Sequence, residues 1–174
     1  MTEHTTHPAA GGLSFPLDFA LTSFLIVDDQ PYTRRILRSI LVGFGSREVY
    51  ECANGTEALE LARNAMPSII ITDLMMPGCD GLRFVKDVKS PGSATANIPI
   101  IVLSGYLTKT TALAVNEAGA DELVVKPTSP KSLHEHISRI ALRHGQTHAP
   151  AAFGQNQRRR AEPQDKKPGE PALA

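Results

Sequence analysis

The sequence predicts an α/β domain built on a parallel sheet with helices on both faces. Short runs of Val, Ile and Leu alternate with amphipathic stretches five times between residues 21 and 144. Strands that read as continuous apolar runs are typical of parallel sheets covered on both sides. The chain has 174 residues, of which 41% are hydrophobic, and this suffices for one buried core.

The first strand is predicted at Phe24–Val27, an uninterrupted apolar run that two acids follow. Residues 32–42 are predicted to form the first helix, because their apolar side chains recur at intervals of three and four. Glu48–Cys52 has the composition of a second strand.

Asn54-Gly55 then turns the chain, and Thr56 is a candidate N-cap for the second helix. Pro67 ends that helix, since its ring is incompatible with a helix interior. The third strand is predicted at residues 68–72, and a short helix follows at residues 82–89.

Residues 98–103 are the fourth predicted strand, and a helix over about 108–118 follows it and stops at Gly119. The fifth strand is Leu123–Val125. Ser129 is a candidate N-cap for the last helix. Pro130 stands at its first position, and Leu133, Ile137 and Ile140 form its inner face.

Polar residues stand where the predicted strands end. They are Asp28, Asp29, Asp73, Ser104 and Lys126. Because ligands of open parallel sheets bind at the carboxyl ends of the strands, these side chains are predicted to share one crevice.

Three neighbouring carboxylates repel one another unless a cation joins them, and oxygen-only ligands suit Mg²⁺. Lys126 and Ser104 add a cation and a hydroxyl, which together suit a phosphoryl group. Asp73 then has the character of a nucleophile that forms an aspartyl phosphate. The simpler alternative is that Asp28 and Asp29 only cap the first helix, but it leaves the matching positions of Asp73 and Lys126 unexplained.

These motifs closely resemble the receiver-domain family of two-component signalling over residues 22–143. The resemblance lies in Asp28-Asp29, Asp73 followed by Met76-Pro77 and Gly81, Ser104-Gly105, and Lys126-Pro127. It implies a flavodoxin-like (CheY-like) three-layer fold with a five-stranded parallel sheet in the order 2-1-3-4-5.

The resemblance also assigns roles to the site residues. Asp29 and Asp73 are expected to bind Mg²⁺ directly, Asp28 largely through water, and the backbone carbonyl of Met75 to complete the protein ligands. Phosphorylation of Asp73 is expected to draw Ser104 toward the phosphate and to reshape the face built by the fourth helix and the fifth strand.

Leu123 departs from the family pattern, because many receivers carry Tyr or Phe there as a switch residue. Tyr106, two residues after Ser104, is a candidate for the moving aromatic ring. Met75 and Tyr106 are expected to flank the phosphoryl group without helping a water molecule to attack it, which predicts slow self-dephosphorylation.

The function implied is that of a cytoplasmic phosphoacceptor response regulator. It would take a phosphoryl group from a histidine kinase or a histidine phosphotransfer protein and bind a downstream protein target. It would catalyse only its own phosphorylation and dephosphorylation and would not be an enzyme in the usual sense. Service as a relay intermediate that passes the phosphate onward is an alternative, and homodimerisation stays open. A haloacid-dehalogenase-type phosphatase would need an acid where Met75 stands.

The flanks differ from the central region. Residues 1–20 are expected to be a flexible N-terminal extension and residues 145–174 a disordered basic tail, too short for an output domain. Nucleic-acid binding through that tail is a weaker alternative, because 18 basic and 18 acidic residues cancel over the chain. No apolar run is long enough to span a membrane. Two cysteines without metal-type spacing fit a reducing compartment.

Overall fold

The computed structural model describes residues 17–76 and 79–145. Within these ranges, five parallel strands form one sheet. Counted along the chain within this sheet, the strands are β1 (Ser23–Val27), β2 (Glu48–Cys52), β3 (Ile69–Asp73), β4 (Ile100–Ser104) and β5 (Glu122–Val125). Their spatial order is β2-β1-β3-β4-β5, which confirms the predicted order.

Five α-helices of the described chain cover the two faces of the sheet. They are α1 (Pro31–Gly43), α2 (Gly55–Ala65), α3 (Gly81–Val88), α4 (Lys109–Glu117) and α5 (Pro130–Arg143). Successive side chains of a strand point to opposite faces. Leu25 and Ile70 accordingly pack with α2, α3 and α4, while Phe24 and Ile71 pack with α1 and α5. The predicted three-layer fold is confirmed.

Each predicted strand begins and ends within two residues of the observed strand. The same holds for the helices predicted at residues 32–42, 82–89 and 108–118. One predicted helix cap is wrong. The N-cap of α2 is Asn54, whose side chain accepts the N–H of Glu57 at 2.9 Å, and Thr56 lies inside the helix. Asn and Thr both favour this position, and the extended backbone of Asn54 decides between them. The predicted cap at Ser129 is confirmed.

A short 3₁₀ helix, Phe19–Leu21, precedes β1. The ring of Phe19 is buried and lies 5.2 Å from the rings of both Phe44 and His134. The packed unit therefore includes part of the segment that the sequence analysis assigned to the N-terminal extension. Residues 1–16 of that extension, and residues 146–174 of the expected tail, lie outside the described residues.

Parallel pairing brings the carboxyl ends of the strands to one edge of the sheet. Val27 pairs with Thr72, Asp73 with Leu103, and Ser104 with Val125. After β3, a two-residue antiparallel ladder joins Met75–Met76 to Cys79–Asp80 and leads directly into α3. Among the described residues, no helix has the length and apolar character needed to cross a membrane.

Candidate functional site

Three carboxylates meet beside the ends of β1 and β3. One oxygen from each of Asp28, Asp29 and Asp73 lies within 4.8 Å of the other two. Asp28 is fully buried, Asp73 is nearly so, and Asp29 is partly exposed. The structure thus brings together the three acids that the sequence analysis placed in one crevice.

The backbone holds Asp28 at the end of the ladder. Its N–H donates to the carbonyl of Cys52 at 3.2 Å, and its Oδ1 accepts the N–H of Gln30 at 2.8 Å. Gln30 is the N-cap residue of α1, so this bond fixes the turn before the helix and is not a cap of the first helical turn. Asp28 therefore shapes the turn and also contributes a carboxylate to the cluster.

The ammonium of Lys126 bridges two of the acids. Its Nζ lies 2.8 Å from Oδ2 of Asp28 and 3.1 Å from Oδ1 of Asp73. The backbone N–H of Lys126 donates to the carbonyl of Ser104 at 2.7 Å, which fixes the end of β5 against β4. Lys126 thus reaches the crevice from the end of β5 and contacts Asp28 and Asp73, as its position after the fifth strand predicted.

The charge and chemistry of this cluster fit a hard divalent cation. Three carboxylates against one ammonium leave two formal negative charges in a largely buried place. Buried charge of one sign is unfavourable unless it is paired or coordinates an ion. Oxygen ligands with one partly exposed member suit Mg²⁺, which usually keeps several of its waters.

Ser104 stands at the predicted strand end, but its hydroxyl bonds to its own loop. The Oγ donates to the carbonyl of Tyr106 at 2.7 Å and accepts the N–H of Tyr106 at 3.2 Å. A buried hydroxyl requires partners, and the backbone two residues onward supplies them. Ser104 therefore directly follows Leu103, the pairing partner of Asp73, while its hydroxyl takes part in a local turn.

The other predicted site residues have different surroundings. Met75 is 72% exposed and Tyr106 is 82% exposed, so both side chains stand at the surface next to the site. Leu123 is partly buried and packs against the core cluster on the α2, α3 and α4 face. The ring of Tyr106 therefore points outward in this structure.

Gly81 belongs to the motif that begins at Asp73, and the structure explains why a glycine occupies this position. The N–H of Gly81 donates to the carbonyl of Leu74 at 3.2 Å. An added Cβ would lie 2.3 Å from the carbonyl oxygen of Asp73, a distance that no real contact shows. The start of α3 thus lies directly against the backbone that carries Asp73.

Arg34 contributes to the site, and sequence reasoning missed it. Its Nη1 donates to the carbonyl of Asp28 at 2.7 Å, and its Nε lies 3.6 Å from Glu51. The sequence signal was weak, because Arg34 is one of several arginines on a charged helix and its target is a backbone atom.

Cys52, whose carbonyl accepts the N–H of Asp28, packs its side chain into the apolar core. Burial raises the pKa of its thiol, Glu57 raises it further, and Arg34 opposes both effects. The thiol therefore stays neutral at neutral pH.

Comparison with known proteins places this site in a family context. The family model described as "Response regulator receiver domain" matches residues 24–138. The chain is 37% identical over 131 residues to the KDP operon transcriptional regulatory protein KdpE of Escherichia coli (strain K12), which covers 75% of this chain and 56% of that protein. It is also 37% identical over 119 residues to the probable transcriptional regulator ycf27 of Porphyra purpurea, covering 68% of this chain and 47% of that protein. The chain spans about half the length of these curated relatives.

Solved structures agree with this similarity. The chemotaxis protein CheY4 of Vibrio cholerae superposes with a TM-score of 0.64 at 31% identity, over 68% of this chain and 98% of that one. A response regulator from Chloroflexus aurantiacus J-10-fl gives a TM-score of 0.63 at 31% identity, over 71% of this chain and 98% of that one.

Proposed function

This chain belongs to the response-regulator receiver domain family, and we propose that Asp73 is its phosphoacceptor in a two-component phosphorelay. The observation that carries the proposal is the position of the Asp73 carboxylate, which shares a cluster with Asp28 and Asp29 and lies 3.1 Å from the ammonium of Lys126. A carboxylate can act as a nucleophile toward phosphorus when nearby positive charge compensates the phosphoryl oxygens.

In the proposed step, a carboxylate oxygen of Asp73 forms a bond to the phosphorus of a phosphohistidine donor. The bond between phosphorus and the imidazole nitrogen breaks, and the imidazole leaves with the electron pair and takes up a proton. Lys126 is placed to pair with a phosphoryl oxygen during the transfer. The chain would catalyse only its own phosphorylation and dephosphorylation. Attack of water on the acyl phosphate returns Asp73 to a carboxylate and releases inorganic phosphate.

We include Mg²⁺ in the proposal because the donor set suits it. Asp29 and Asp73 would hold the ion directly, Asp28 largely through water, and the carbonyl of Met75 would complete the protein ligands. When bound, Mg²⁺ supplies positive charge that compensates the phosphoryl oxygens.

For the downstream signal, we propose that a partner protein binds the surface next to Ser104 and distinguishes the phosphorylated from the unphosphorylated chain. Exposed apolar side chains stand in the loop after Ser104, on α4 and at the end of β5, namely Tyr106, Leu107, Leu113 and Val125. A phosphoryl group on Asp73 would compete for the Ser104 hydroxyl, break its bonds to Tyr106 and change this surface. The donor would be a histidine kinase or a histidine phosphotransfer protein, and we propose that the chain meets this donor in the cytoplasm.

The proposal is tested by exposing the chain to acetyl phosphate with Mg²⁺ and reading its intact mass. Wild type should gain one phosphate and Asp73→Asn none, while EDTA should prevent the gain. Asp87→Asn is the matched control, because Asp87 is an exposed acid on α3 that forms an ion pair with Arg83, on the same helix. A phosphate on Asp73→Asn, or none on wild type, would contradict the assignment.

The output is tested by hydrogen–deuterium exchange of the phosphorylated chain. Exchange should change in residues 104–117 and in β5 on phosphorylation, and it should stay the same in Asp73→Asn. Unchanged exchange in fully phosphorylated wild type would contradict a switched surface. Incubation of the phosphorylated chain with a purified histidine phosphotransfer protein then shows whether the phosphate moves onward.

A further inference from the structure

The guanidinium of Arg34 holds the peptide bond that joins two acids of the cluster. Its Nη1 donates to the carbonyl of Asp28 at 2.7 Å, and this carbonyl belongs to the peptide unit between Asp28 and Asp29. The N–H of Asp28 is bound by the carbonyl of Cys52 on β2. Both backbone polar groups of Asp28 therefore have hydrogen-bond partners. Because the peptide unit is planar, its bond to Arg34 also fixes the position of the Asp29 nitrogen.

Arg34 is itself held in place. Its Nε lies 3.6 Å from Oε2 of Glu51, whose other oxygen lies 3.4 Å from Nη1 of Arg38. The side chain of Arg34 is 17% exposed, whereas that of Arg38 is 48% exposed. Because salt screens a partly buried ion pair less than an exposed one, Glu51 attracts Arg34 more strongly than it attracts Arg38.

Lys126 and Arg34 therefore contact the acidic cluster in different ways. Lys126 contacts the carboxylates of Asp28 and Asp73 directly. Arg34 instead donates a hydrogen bond to the backbone carbonyl of Asp28. Its positive charge thus lies close to the acids and leaves their oxygens available to an ion.

We propose that Arg34 is a positioning residue for divalent-cation binding, acting through the peptide unit between Asp28 and Asp29. This inference rests on the proposed function, because it names a residue that prepares the same site. Partners that orient metal ligands from behind typically change metal affinity by about 10- to 100-fold when they are removed. A tether to the backbone should produce an effect at the lower end of that range.

The test compares three variants of the full chain: Arg34→Ala, Arg34→Lys and Arg38→Ala. Arg38 is the matched control, because it lies on the same helix, shares Glu51, and also donates to a backbone carbonyl, that of Val49 at 2.7 Å. The measurements are the Mg²⁺ dissociation constant by titration calorimetry and the melting temperature of each variant without Mg²⁺.

Arg34→Ala should bind Mg²⁺ about tenfold more weakly than wild type, and Arg38→Ala should stay within about twofold of it. The Mg²⁺ dissociation constant of Arg34→Lys should lie between those of the other two variants. One ammonium cannot replace a guanidinium that contacts both Asp28 and Glu51. Saturating Mg²⁺ should return the phosphorylation rate of Arg34→Ala toward wild type, because the defect is in affinity.

Wild-type Mg²⁺ affinity in folded Arg34→Ala would overturn the inference, and so would equal weakening in Arg38→Ala. Should Arg34→Ala fail to fold, Arg34→Lys decides: weaker binding supports the inference and wild-type affinity overturns it. Failure of the proposed function looks different, since wild type itself would then bind Mg²⁺ and gain no phosphate from acetyl phosphate. A wild type that binds no Mg²⁺ would overturn the inference about Arg34 as well.

Discussion

A Cβ atom on Gly81 would lie 2.3 Å from the carbonyl oxygen of Asp73. It would also lie 2.7 Å from the carbonyl oxygen of Leu74. Both contacts are with backbone, which cannot rotate out of the way as a side chain would. The first residue of α3 and the last residue of β3 are therefore packed so closely that only glycine fits, and the position of Asp73 depends on this contact.

Gly81→Ala should displace the Asp73 backbone and lower the free energy of unfolding by about 2 kcal/mol, a usual effect of overpacking. The same displacement should slow phosphorylation of Asp73. Urea unfolding measures the first effect, and timed intact-mass spectra with acetyl phosphate measure the second.

Gly43→Ala is the control for that variant. An added Cβ on Gly43 meets no other part of the described structure within 4 Å, and the residue is helical. Its stability should be unchanged or raised by up to about 1 kcal/mol. If Gly81→Ala has the wild-type free energy of unfolding and the wild-type phosphorylation rate, α3 can shift away from β3 without loss of stability, and the prediction is wrong.

Lys126→Ala removes the ammonium shared by Asp28 and Asp73. Without Mg²⁺, the variant should lose about 1–2 kcal/mol of stability, less than a fully buried pair because the lysine side chain is 25% exposed. Added Mg²⁺ should then raise its melting temperature more than that of wild type, since binding to the folded state compensates the acids.

Thermal unfolding with and without Mg²⁺ checks this expectation. Lys131→Ala is the control, because Lys131 is exposed on the first turn of α5. An equal Mg²⁺-induced shift in wild type and Lys126→Ala would indicate that the ammonium and the ion do not share the same carboxylates.

Much of this arrangement could be predicted from strand ends. The apolar runs before Asp28 and Asp73 and the run before Lys126 identify buried strands, and parallel pairing then forces the three residues to one edge. The strand periodicity of the backbone determines these positions, so a sequence pattern is sufficient to find them.

Side-chain direction and long-range contacts could not be predicted in the same way. The hydroxyl of Ser104 has a competing local partner in the backbone of Tyr106, and the choice depends on loop geometry. Arg34 meets a carbonyl, which every residue possesses, so no residue pattern marks its target. Asn54 and Thr56 both have capping side chains, and only the backbone conformation selects one of them.

Asp121 gives a prediction for the dependence of stability on pH. Burial favours a higher pKa for its carboxyl, but hydrogen bonds from the Ile100 N–H and Lys89, together with the Lys89 charge and His144, hold the pKa below its ordinary value of 3.8. The unfolded chain therefore takes up this proton first. The stabilisation is present above the unfolded value and is lost as the pH falls through the folded value.

Asp121→Asn should accordingly lower the free energy of unfolding at pH 7 by about 2 kcal/mol, as expected for hydrogen bonds to a charged group. Its difference from wild type should shrink as the pH falls from about 5 toward 3. Urea unfolding at a series of pH values measures this difference. Asp87→Asn, which alters an exposed pair on α3, should differ little from wild type throughout, and a constant deficit in Asp121→Asn would rule out the linkage.

The two exposed side chains next to the site give a prediction for the lifetime of the phosphorylated state. Met75 follows Asp73 by two residues, and Tyr106 follows Ser104 by two. The N–H of Leu74 donates to the carbonyl of Leu103 at 2.9 Å, so the two loops start side by side. The thioether of Met75 cannot orient an attacking water as an amide or acid could, and self-dephosphorylation should therefore be slow.

Met75→Asn should accelerate loss of the phosphate by at least about tenfold, because its amide can hold a water molecule near the phosphorus. The decay is followed by intact mass after removal of acetyl phosphate at constant Mg²⁺. Met75→Leu is the matched control, since it keeps an apolar side chain of similar volume and should decay at the wild-type rate. Equal decay in Met75→Asn and wild type would show that a side chain at position 75 does not reach the attacking water, whereas acceleration in both variants would trace the slow decay to the shielding provided by methionine.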